Sequence, residues 1–206
     1  EEVSLYWLQM MAGRTCQSLD LESVDGATGF LKLLETADVV IESQPIGRLT
    51  ALGLDYDQLH ARFPKLIWTS ITPFGRTGPR SNWAATDIVG MAAGGLMSLC
   101  GDADRPPLRI SVEQGYAQAG IVAVVGTLAA VHARTATGLG QLVDVSMQGA
   151  GCNCLGNARL YYELDGIVSR RAGGARAYDQ YGTRLVYPCA DGFVAISRNA
   201  ATPGLI

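Results

Sequence analysis

Apolar residues along this chain follow two alternating patterns, short continuous runs and longer stripes with helical spacing. Continuous runs of strand length, rich in Val, Ile and Leu, are typical of buried strands. They predict strands over residues 37–42, 66–71 and 142–145, and we also expect a strand over residues 15–21, which ends at Asp20. Stripes of helical period predict helices over residues 25–37, 49–54, 56–62, 88–99 and 114–134, and from Ser146 onward through residue 160.

The order of these elements predicts an α/β fold. The first two predicted strands flank one predicted helix, whose inner stripe consists of Phe30, Leu31, Leu33 and Leu34. A strand–helix–strand succession of this kind joins parallel strands of one sheet. We therefore expect a parallel sheet with helices packed on it.

After residue 165 the pattern changes. Residues 166–174 are polar and glycine-rich, and two short apolar runs then flank the sequence Asp191-Gly192, which is typical of a β-hairpin turn. We predict a large α/β domain over residues 1–165, followed by a linker and the start of a smaller second domain over residues 166–206.

Composition restricts the class of partner. The chain has 206 residues, of which 48% are hydrophobic and 17% charged, and it contains 25 glycines. This balance suits a buried sheet with close helix packing and argues against disorder. A net charge of −3 provides no basic surface for nucleic acid, so no nucleic-acid partner is expected.

The chain also lacks the sequence features of a membrane or secreted protein. The longest apolar run, residues 119–131, is shorter than a membrane span and is interrupted by glycine. It lies in the helix predicted over 114–134, which we expect to be buried on most sides because nearly all its residues are small or apolar. Since the first residues carry no basic segment typical of a signal peptide, we expect no membrane partner and a cytoplasmic location.

Five cysteines and two histidines limit the metal and redox chemistry. Cys152-x-Cys154 lacks the second ligand pair that a zinc site requires. An odd number of cysteines without a framework spacing favours reduced thiols, which we expect to be mostly buried. No metal cofactor is expected.

The most informative stretch is residues 140–150, GQLVDVSMQGA. A short buried strand here leads into a helix that Ser146 can cap. Residues just past the carboxyl end of a strand, at a helix start, are where α/β proteins place ligands and chemistry. Gly149 falls in that first helical turn and has no side chain. The stretch is therefore either an ordinary connection or a site that lacks a catalytic group.

Several motifs resemble those of the family III CoA-transferases, which include formyl-CoA transferase, the carnitine CoA-transferases and α-methylacyl-CoA racemase. The motifs are ADVVIES, PKLI, SITPFGRTGP, ATDI, GGLM and GD, followed by residues 137–150, and they run in the order and spacing of that family. The resemblance covers about residues 4–198. It implies a Rossmann-like large domain, a small domain and an interlocked dimer. Family members are about twice this length, so this chain is expected to correspond to their middle.

The resemblance implies one of two chemistries. In the transferases, an aspartate attacks the acyl-CoA thioester and passes through mixed-anhydride and aspartyl-CoA thioester intermediates. The position of that aspartate corresponds to Gly149 here, and Gln148 beside it is a candidate for polarising a carbonyl. In the racemases, a His/Asp pair supported by a Glu exchanges protons, and those positions correspond to Thr86, Tyr116 and, approximately, Ala200.

The resemblance also implies where coenzyme A (CoA) binds. The adenosine and diphosphate part is expected at the end of the first predicted strand and in the loop after the second, and the pantetheine arm just before Asp87. Arg48 is a candidate for the charge that family members supply with a lysine and an arginine at positions held here by Glu22 and Ala51. The expected CoA-binding residues are Leu19, Asp20, Leu21, Glu22, Ser43, Gln44, Pro45, Arg48, Ala84, Ala85 and Thr86.

Other polar residues allow both a structural and a functional interpretation. Asp87 is either a helix cap or first-turn carboxylate, or an acid–base catalyst. Tyr116 either packs in the core or an interface, or binds a substrate carboxylate. His60 and His132 are expected to be solvated or capping. The glycines at 173–174 suit either a mobile lid or a plain linker.

From these observations we predict an acyl-CoA:carboxylate CoA-transferase that moves CoA between carboxylic acids. Its expected partners are an acyl-CoA and a small carboxylic acid, and the expected assembly is a homo- or heterodimer. Glycine at position 149 leaves alternatives open. A sister chain could carry the aspartate of a heteromer, the chain could catalyse an isomerisation, racemisation or dehydration of an acyl-CoA, or it could be a non-catalytic CoA-binding subunit.

Overall fold

The computed structural model describes residues 4–174 and 185–196. Three strands form a parallel sheet in the order β1–β2–β3, and their bounds are β1 Val39–Glu42, β2 Ile67–Thr72 and β3 Leu142–Ser146. In the register, Ile41 lies opposite Thr69, which lies opposite Val143. Three of the four predicted strands are thus present, and the α/β fold with a parallel sheet is confirmed.

The predicted strand over residues 15–21 is wrong. Its last residues form a turn, in which the Asp20 carbonyl accepts hydrogen bonds from the Ser23 N–H at 3.0 Å and the Ser23 hydroxyl at 2.8 Å. A strand requires a partner, and no described segment pairs with the free edge of β1. The parallel pairs are therefore β1 with β2 and β2 with β3, not the strand pair predicted around the first helix.

Eight α-helices and one 3₁₀ turn complete the elements around the sheet in the described part of the chain. They are α1 Leu5–Met11, α2 Val24–Leu34, α3 Arg48–Ala51, α4 Tyr56–Leu59, α5 Asp87–Ala93, the 3₁₀ turn Leu96–Leu99, α6 Gln114–Thr137, α7 Met147–Asn153 and α8 Ala158–Asp165.

Two predicted helices are each interrupted by a glycine in the left-handed region. Gly95, with φ of 84°, separates α5 from the 3₁₀ turn, and Gly156, with φ of 57°, lies between α7 and α8. A glycine adopts positive φ without steric cost, so it ends a helix where other residues would continue it. The continuous helices predicted over 88–99 and 146–160 are therefore each split.

Helix α2 begins and packs largely as its sequence predicts. The Ser23 hydroxyl caps it by accepting a hydrogen bond from the Gly26 N–H at 3.0 Å. Leu34 is buried, but Leu33 is exposed, so its assignment to the inner stripe is wrong. Adjacent residues of a helix point about 100° apart, and only one of these two leucines can face the sheet.

A leucine-rich layer covers one face of the sheet. Its buried side chains come from α2, α3, α4 and β2 and the loops between them: Leu34, Leu49, Leu54, Leu59, Leu66 and Trp68. Trp68 is almost fully enclosed and meets the Phe30 ring edge-on, with 6.4 Å between centroids. We call this the leucine layer.

Helices α5, α6 and α7 form a layer of small residues on the opposite face. Thr69 follows Trp68 in β2 and so points the other way, where its hydroxyl lies 2.6 Å from the Thr127 hydroxyl of α6. The buried residues of α6 form a single stripe of Gly115, Ala119, Ala123, Thr127 and Ala130. We call this the small-residue layer.

The expectation that α6 is buried on most sides is wrong for the described residues. Ile121, Val124, Val125 and Leu128 are exposed, because only one stripe of the helix reaches the sheet. By length and composition alone, this 24-residue helix could cross a membrane, unlike the shorter apolar run within it. Its buried stripe packs on β2 and β3, and the Thr127 hydroxyl meets that of Thr69 in β2.

The segment after α8 is attached to the loop that follows the 3₁₀ turn. The Arg171 guanidinium donates to the carbonyls of Ser98 and Asp102 at 3.3 Å and of Arg105 at 3.0 Å. The Gly173 N–H donates to the Gly101 carbonyl at 3.1 Å. Because these bonds hold the segment around the glycines at 173–174 against the domain, they favour the linker interpretation over a mobile lid.

The predicted hairpin is confirmed. Strands β4 (Val186–Cys189) and β5 (Gly192–Ala195) pair antiparallel, with Cys189 opposite Gly192. The division of the chain into two domains near residue 165 stays a prediction.

Candidate functional site

The three parallel strands end at the same edge of the sheet. Ser43 follows β1, Pro73 follows β2 and Met147 follows β3. Open parallel sheets bind their ligands outside the carboxyl ends of the strands. The candidate site therefore combines segments that are far apart in the sequence.

A groove of about 390 Å³ lies at this edge. Its lining comes from residues 43–46, from the end of β2 with Pro73, and from residues 81–85 before α5. Five expected CoA-binding residues thus lie in one groove, namely Ser43, Gln44, Pro45, Ala84 and Ala85. Thr86, the next residue, is the N-cap of α5 and is not among the residues that line the groove.

A second cavity, of about 440 Å³, adjoins the groove. Ser43, Thr72, Pro73 and Ala85 line both, and the remaining lining residues are Ile71, Tyr116, Ala119, Gly120 and Met147. None of these residues is charged. The groove therefore leads into a largely apolar chamber between the sheet edge and α6.

An ion pair links the two segments expected to hold the nucleotide. Arg48 Nη2 lies 3.7 Å from Glu22 Oε1, and Arg48 Nη1 donates to Gln44 Oε1 at 3.3 Å. All three side chains are exposed or partly exposed, so the pair adds little stability. The other expected residues of the first segment, 19–21, belong to the turn before α2 and are not among those that line the groove.

The strand-to-helix turn after β3 has the predicted cap. The Ser146 hydroxyl accepts a hydrogen bond from the Gly149 N–H at 3.1 Å. Gly149 is exposed, and a Cβ added to it would lie 3.6 Å from Ser146 Cβ and 3.8 Å from Ser146 Oγ, which are ordinary contacts. A Cβ therefore fits at this position.

Gln148 connects this turn to two neighbouring segments. Its N–H donates to the Pro73 carbonyl at 3.0 Å, which brings the start of α7 to the groove. Its side-chain amide donates to the Ala93 carbonyl at the end of α5, also at 3.0 Å. The amide thus holds α5 and α7 together, and its suggested role in polarising a carbonyl stays a prediction.

Asp87 is the first-turn carboxylate of α5 that the sequence predicts, and it also caps a second helix. It is only 5% exposed, and its Oδ1 accepts a hydrogen bond from the Tyr116 N–H at 2.9 Å. Glu113, the N-cap residue of α6, makes no side-chain capping bond. Oδ2 lies 3.7 Å from the Arg109 guanidinium. Asp87 therefore fixes the start of α6, whose Tyr116 lines the second cavity.

Residues 1–204 match the family described as CoA-transferase family III. The chain belongs to this family. It is 37% identical over 195 residues to the subunit BbsE of succinyl-CoA:(R)-benzylsuccinate CoA-transferase from Thauera aromatica, which covers 95% of this chain and 46% of that protein. It is 32% identical over 200 residues to a succinyl-CoA–D-citramalate CoA-transferase from Chloroflexus aurantiacus, covering 97% and 49%.

The fold agrees with that of a solved protein of the same kind. A CAIB/BAIF family protein from Brucella suis superposes with a TM-score of 0.79 at 32% sequence identity, covering 90% of this chain and 48% of that one. The chain spans about half the length of the relatives it matches. The assignment of Gly149 to the nucleophile position of the family III transferases stays a prediction, as do the CoA-binding residues.

Two features of this family III chain were not predicted from its sequence. Trp83 stands exposed on the groove, in contact with Phe74 at 6.0 Å between ring centroids and with the Arg80 guanidinium at 5.4 Å. The Arg76 N–H donates to both carboxylate oxygens of Asp144, at 3.1 and 3.0 Å, which fixes the loop after β2 over β3. The sequence did contain a signal for Trp83, because it is an aromatic residue within a loop rich in Pro, Gly and Arg.

The remaining candidates have structural partners or lie elsewhere. His60 stacks on Tyr56 at 5.3 Å and its Nδ1 is 3.0 Å from the Asp57 carbonyl oxygen, consistent with a capping role. In the described ranges, no group of three or more His, Cys, Asp or Glu residues could hold a metal. The position near Ala200 lies outside the described residues.

The five cysteines are free, as predicted, but the expectation that they are mostly buried is wrong. Cys16 and Cys189 are exposed and the others are partly exposed. The Cys154 thiol donates to the Ala150 carbonyl at 3.6 Å, and burial raises its pKa. A raised pKa lowers the thiolate fraction and argues against a nucleophilic role.

Proposed function

We propose that this chain forms the CoA-binding part of an acyl-CoA:carboxylate CoA-transferase, an enzyme that moves CoA between carboxylic acids. The observation that carries the proposal is the groove at the carboxyl edge of the sheet. Residues 43–45 and 84–85 both line this groove, and the family resemblance predicts that both segments bind CoA. In this proposal the thioester end of CoA points toward α7. The hydrogen bond from the Gln148 N–H to the Pro73 carbonyl holds the first turn of α7 against the groove at that end.

We further propose that the acyl group of the substrate occupies the second cavity. The described lining residues carry no charge, so the cavity suits the apolar part of an acyl chain, and the Tyr116 hydroxyl is available for a polar substituent. The two relatives described above are named for succinyl-CoA and for branched or aryl-substituted acids. These names support a carboxylic acid with more than one carboxyl group as the partner substrate.

The nucleophile is proposed to come from a sister chain. Gly149 offers no carboxylate, and Asp144, the acid of β3 before this turn, accepts hydrogen bonds from the Arg76 N–H. We propose a heteromer in which the second chain carries the aspartate, supported by the fact that one relative is named as a subunit. The exposed apolar face of α6, with Ile121, Val124 and Val125, is proposed to pack against the partner chain.

One observation favours a second candidate, a non-catalytic CoA-binding subunit. This observation is again the glycine at position 149, because a chain that binds CoA without supplying a nucleophile would have no carboxylate there. An acyl-CoA isomerase, racemase or dehydratase is supported less well, because Thr86 and Tyr116 stand at the positions that the resemblance assigns to proton transfer. A cytoplasmic location is proposed for all of these, on the sequence grounds given above.

The first test is native mass spectrometry of the intact protein purified from its source, with and without CoA. We expect a heteromer that retains CoA. A CoA-bound homodimer would reject the sister-chain proposal and favour binding alone or a reaction without an aspartate nucleophile. Absence of CoA from every assembly would overturn the proposal that this chain binds CoA.

The second test replaces Gly149→Asp in the protein alone. Since a Cβ at this position makes only ordinary contacts and the residue is exposed, we expect CoA transfer between succinyl-CoA and a dicarboxylic acid to appear or to rise by about tenfold or more. The control is Gly149→Asn, which has the same shape without the charge and should stay inactive. Equal activity of the two variants would show that position 149 does not hold the nucleophile.

A further inference from the structure

A buried methionine forms part of the wall of the second cavity. Met147 is the first residue of α7, is 3% exposed and lines this cavity. It packs with the buried Ala119 and Ala150 and with the partly buried Ile71. Met147 is therefore the residue through which α7 meets the chamber that we assign to the acyl group.

Two glycines leave the space that the Met147 side chain occupies. A Cβ added to Gly90 of α5 would lie 2.7 Å from Met147 Sδ and 2.9 Å from its Cγ. A Cβ added to Gly115 of α6 would lie 3.2 Å from the same sulfur. Heavy atoms do not pack closer than about 3 Å to a Cβ, so a side chain on Gly90 would require Met147 to move. The thioether thus occupies a slot between α5 and α6, which we call the glycine slot.

Met147 is also suited to change the size of the cavity. Methionine is unbranched, has three rotatable bonds and fills irregular gaps in protein cores. By contrast, Ala85, Ala119 and Gly120, which line the same cavity, have no side-chain rotamers, and Ile71 is branched at Cβ and stiff. Among the described lining residues, Met147 has the largest number of rotatable side-chain bonds.

We propose that Met147 is a specificity-determining residue that sets the length of the acyl chain accepted by the second cavity. With its thioether in the glycine slot, the cavity has a volume of about 440 Å³. Displacement of the thioether from the slot reduces this volume, and removal of the side chain adds the slot to it. The inference rests on the proposed function, since it presupposes that the acyl group of an acyl-CoA occupies this cavity.

The first test measures dissociation constants of CoA, butyryl-CoA and hexanoyl-CoA for the intact protein. The readout is the ratio of the constant for CoA to that for each acyl-CoA. Met147→Ala should raise the ratio for hexanoyl-CoA roughly tenfold, because each methylene that enters the slot tightens binding about fourfold. The matched control is Met91→Ala. Met91 is fully buried on α5 but does not line this cavity, so the ratio should change by less than about twofold.

The second test changes the slot from the opposite side. Gly90→Ala displaces the thioether toward the cavity and should lower the ratio for hexanoyl-CoA several-fold. Its control is Gly151→Ala, whose added Cβ lies 3.4 Å from Gly94 Cα, an ordinary contact, and which does not line the cavity. In the double variant Met147→Ala with Gly90→Ala, the added methyl group no longer meets a thioether. The ratio should then stay above that of the wild type.

The outcomes separate this inference from the function on which it rests. If the wild-type protein binds neither CoA nor an acyl-CoA, the proposed function fails. If it binds CoA and Met147→Ala changes the ratio no more than Met91→Ala does, the specificity assignment is overturned. The assignment is also overturned if Gly90→Ala raises the ratio or leaves it unchanged. The ratio compares two ligands on the same protein, so partial unfolding affects both alike. If Met147→Ala does not fold, the result for Gly90→Ala decides.

Discussion

The two faces of the sheet are packed by opposite means. The leucine layer encloses large side chains, with Trp68 only 1% exposed among five buried leucines. The small-residue layer brings helices close through positions without side chains. A Cβ on Gly94, the C-cap of α5, would lie 3.0 Å from backbone atoms of α7, and one on Gly126 of α6 would lie 2.8 Å from Val143 Cγ1 of β3.

This difference separates stability from binding. Burial of large apolar side chains is a main source of stability, and six such side chains pack together in the leucine layer. The small-residue layer instead places Asp87, Tyr116 and Met147 next to the groove and the second cavity. We infer that the leucine layer chiefly holds the sheet and that the small-residue layer chiefly shapes the site.

The largest expected effect is the loss of Trp68. Trp68→Ala leaves a cavity beneath Phe30 and should lower the free energy of unfolding by about 3–5 kcal/mol. Urea denaturation measures this change, and the exposed Trp83→Ala is the matched control, expected to change it by less than about 1 kcal/mol. A similar loss in both variants would contradict the assignment of stability to the leucine layer.

Substitution of two glycines of α6 tests how closely this helix must approach the sheet. Gly126→Ala places a methyl group against the stiff Val143 side chain and should destabilise the fold by roughly 1–3 kcal/mol. Gly120→Ala meets no atom within 4 Å and should stabilise it by up to about 1 kcal/mol through helix propensity. Thermal unfolding distinguishes the two, and equal behaviour would show that the small-residue layer tolerates added volume.

The hydroxyls of Thr69 in β2 and Thr127 in α6 form a buried polar pair between the sheet and the helix. Thr127→Val leaves the buried Thr69 hydroxyl without its partner and should cost about 1–3 kcal/mol. The double variant Thr69→Val with Thr127→Val removes both hydroxyls and should recover most of that loss. If the separate effects of Thr69→Val and Thr127→Val simply add up in the double variant, the two hydroxyls are not coupled and the pair is not supported.

The smallest expected effect concerns the pH dependence of Cys154. Burial raises the pKa of this thiol, so its folded-state pKa exceeds the unfolded value. The resulting stabilisation is fully present below the unfolded pKa, near 8.5, and is lost as pH rises through the folded value. Alkylation by iodoacetamide at pH 8 should be slower at Cys154 than at the exposed Cys16, as peptide mass analysis would show. Comparable rates would contradict the effect of partial burial on this thiol.

Much of the fold could be predicted from local patterns. The runs that became β1, β2 and β3, the Ser146 cap and the β4–β5 hairpin each depend on residues close in sequence. A strand was also predicted at residues 15–21, and this segment has no partner strand among the described residues. A strand is stabilised by its neighbour across the sheet, and the run itself contains no information about that neighbour.

The sequence by itself determined the class of fold and the family, and it predicted a site at the strand ends, because hydrophobic period, turn chemistry and motif order are local properties. Only the tertiary structure decided which of those segments share a groove, that Asp87 caps α6, and that Trp83 stands exposed beside Arg80. It also decided that α6 buries one stripe rather than most of its surface. The physical reason is that burial and convergence depend on which elements pack together, and a composition of small apolar residues is compatible with either a buried or a half-exposed helix.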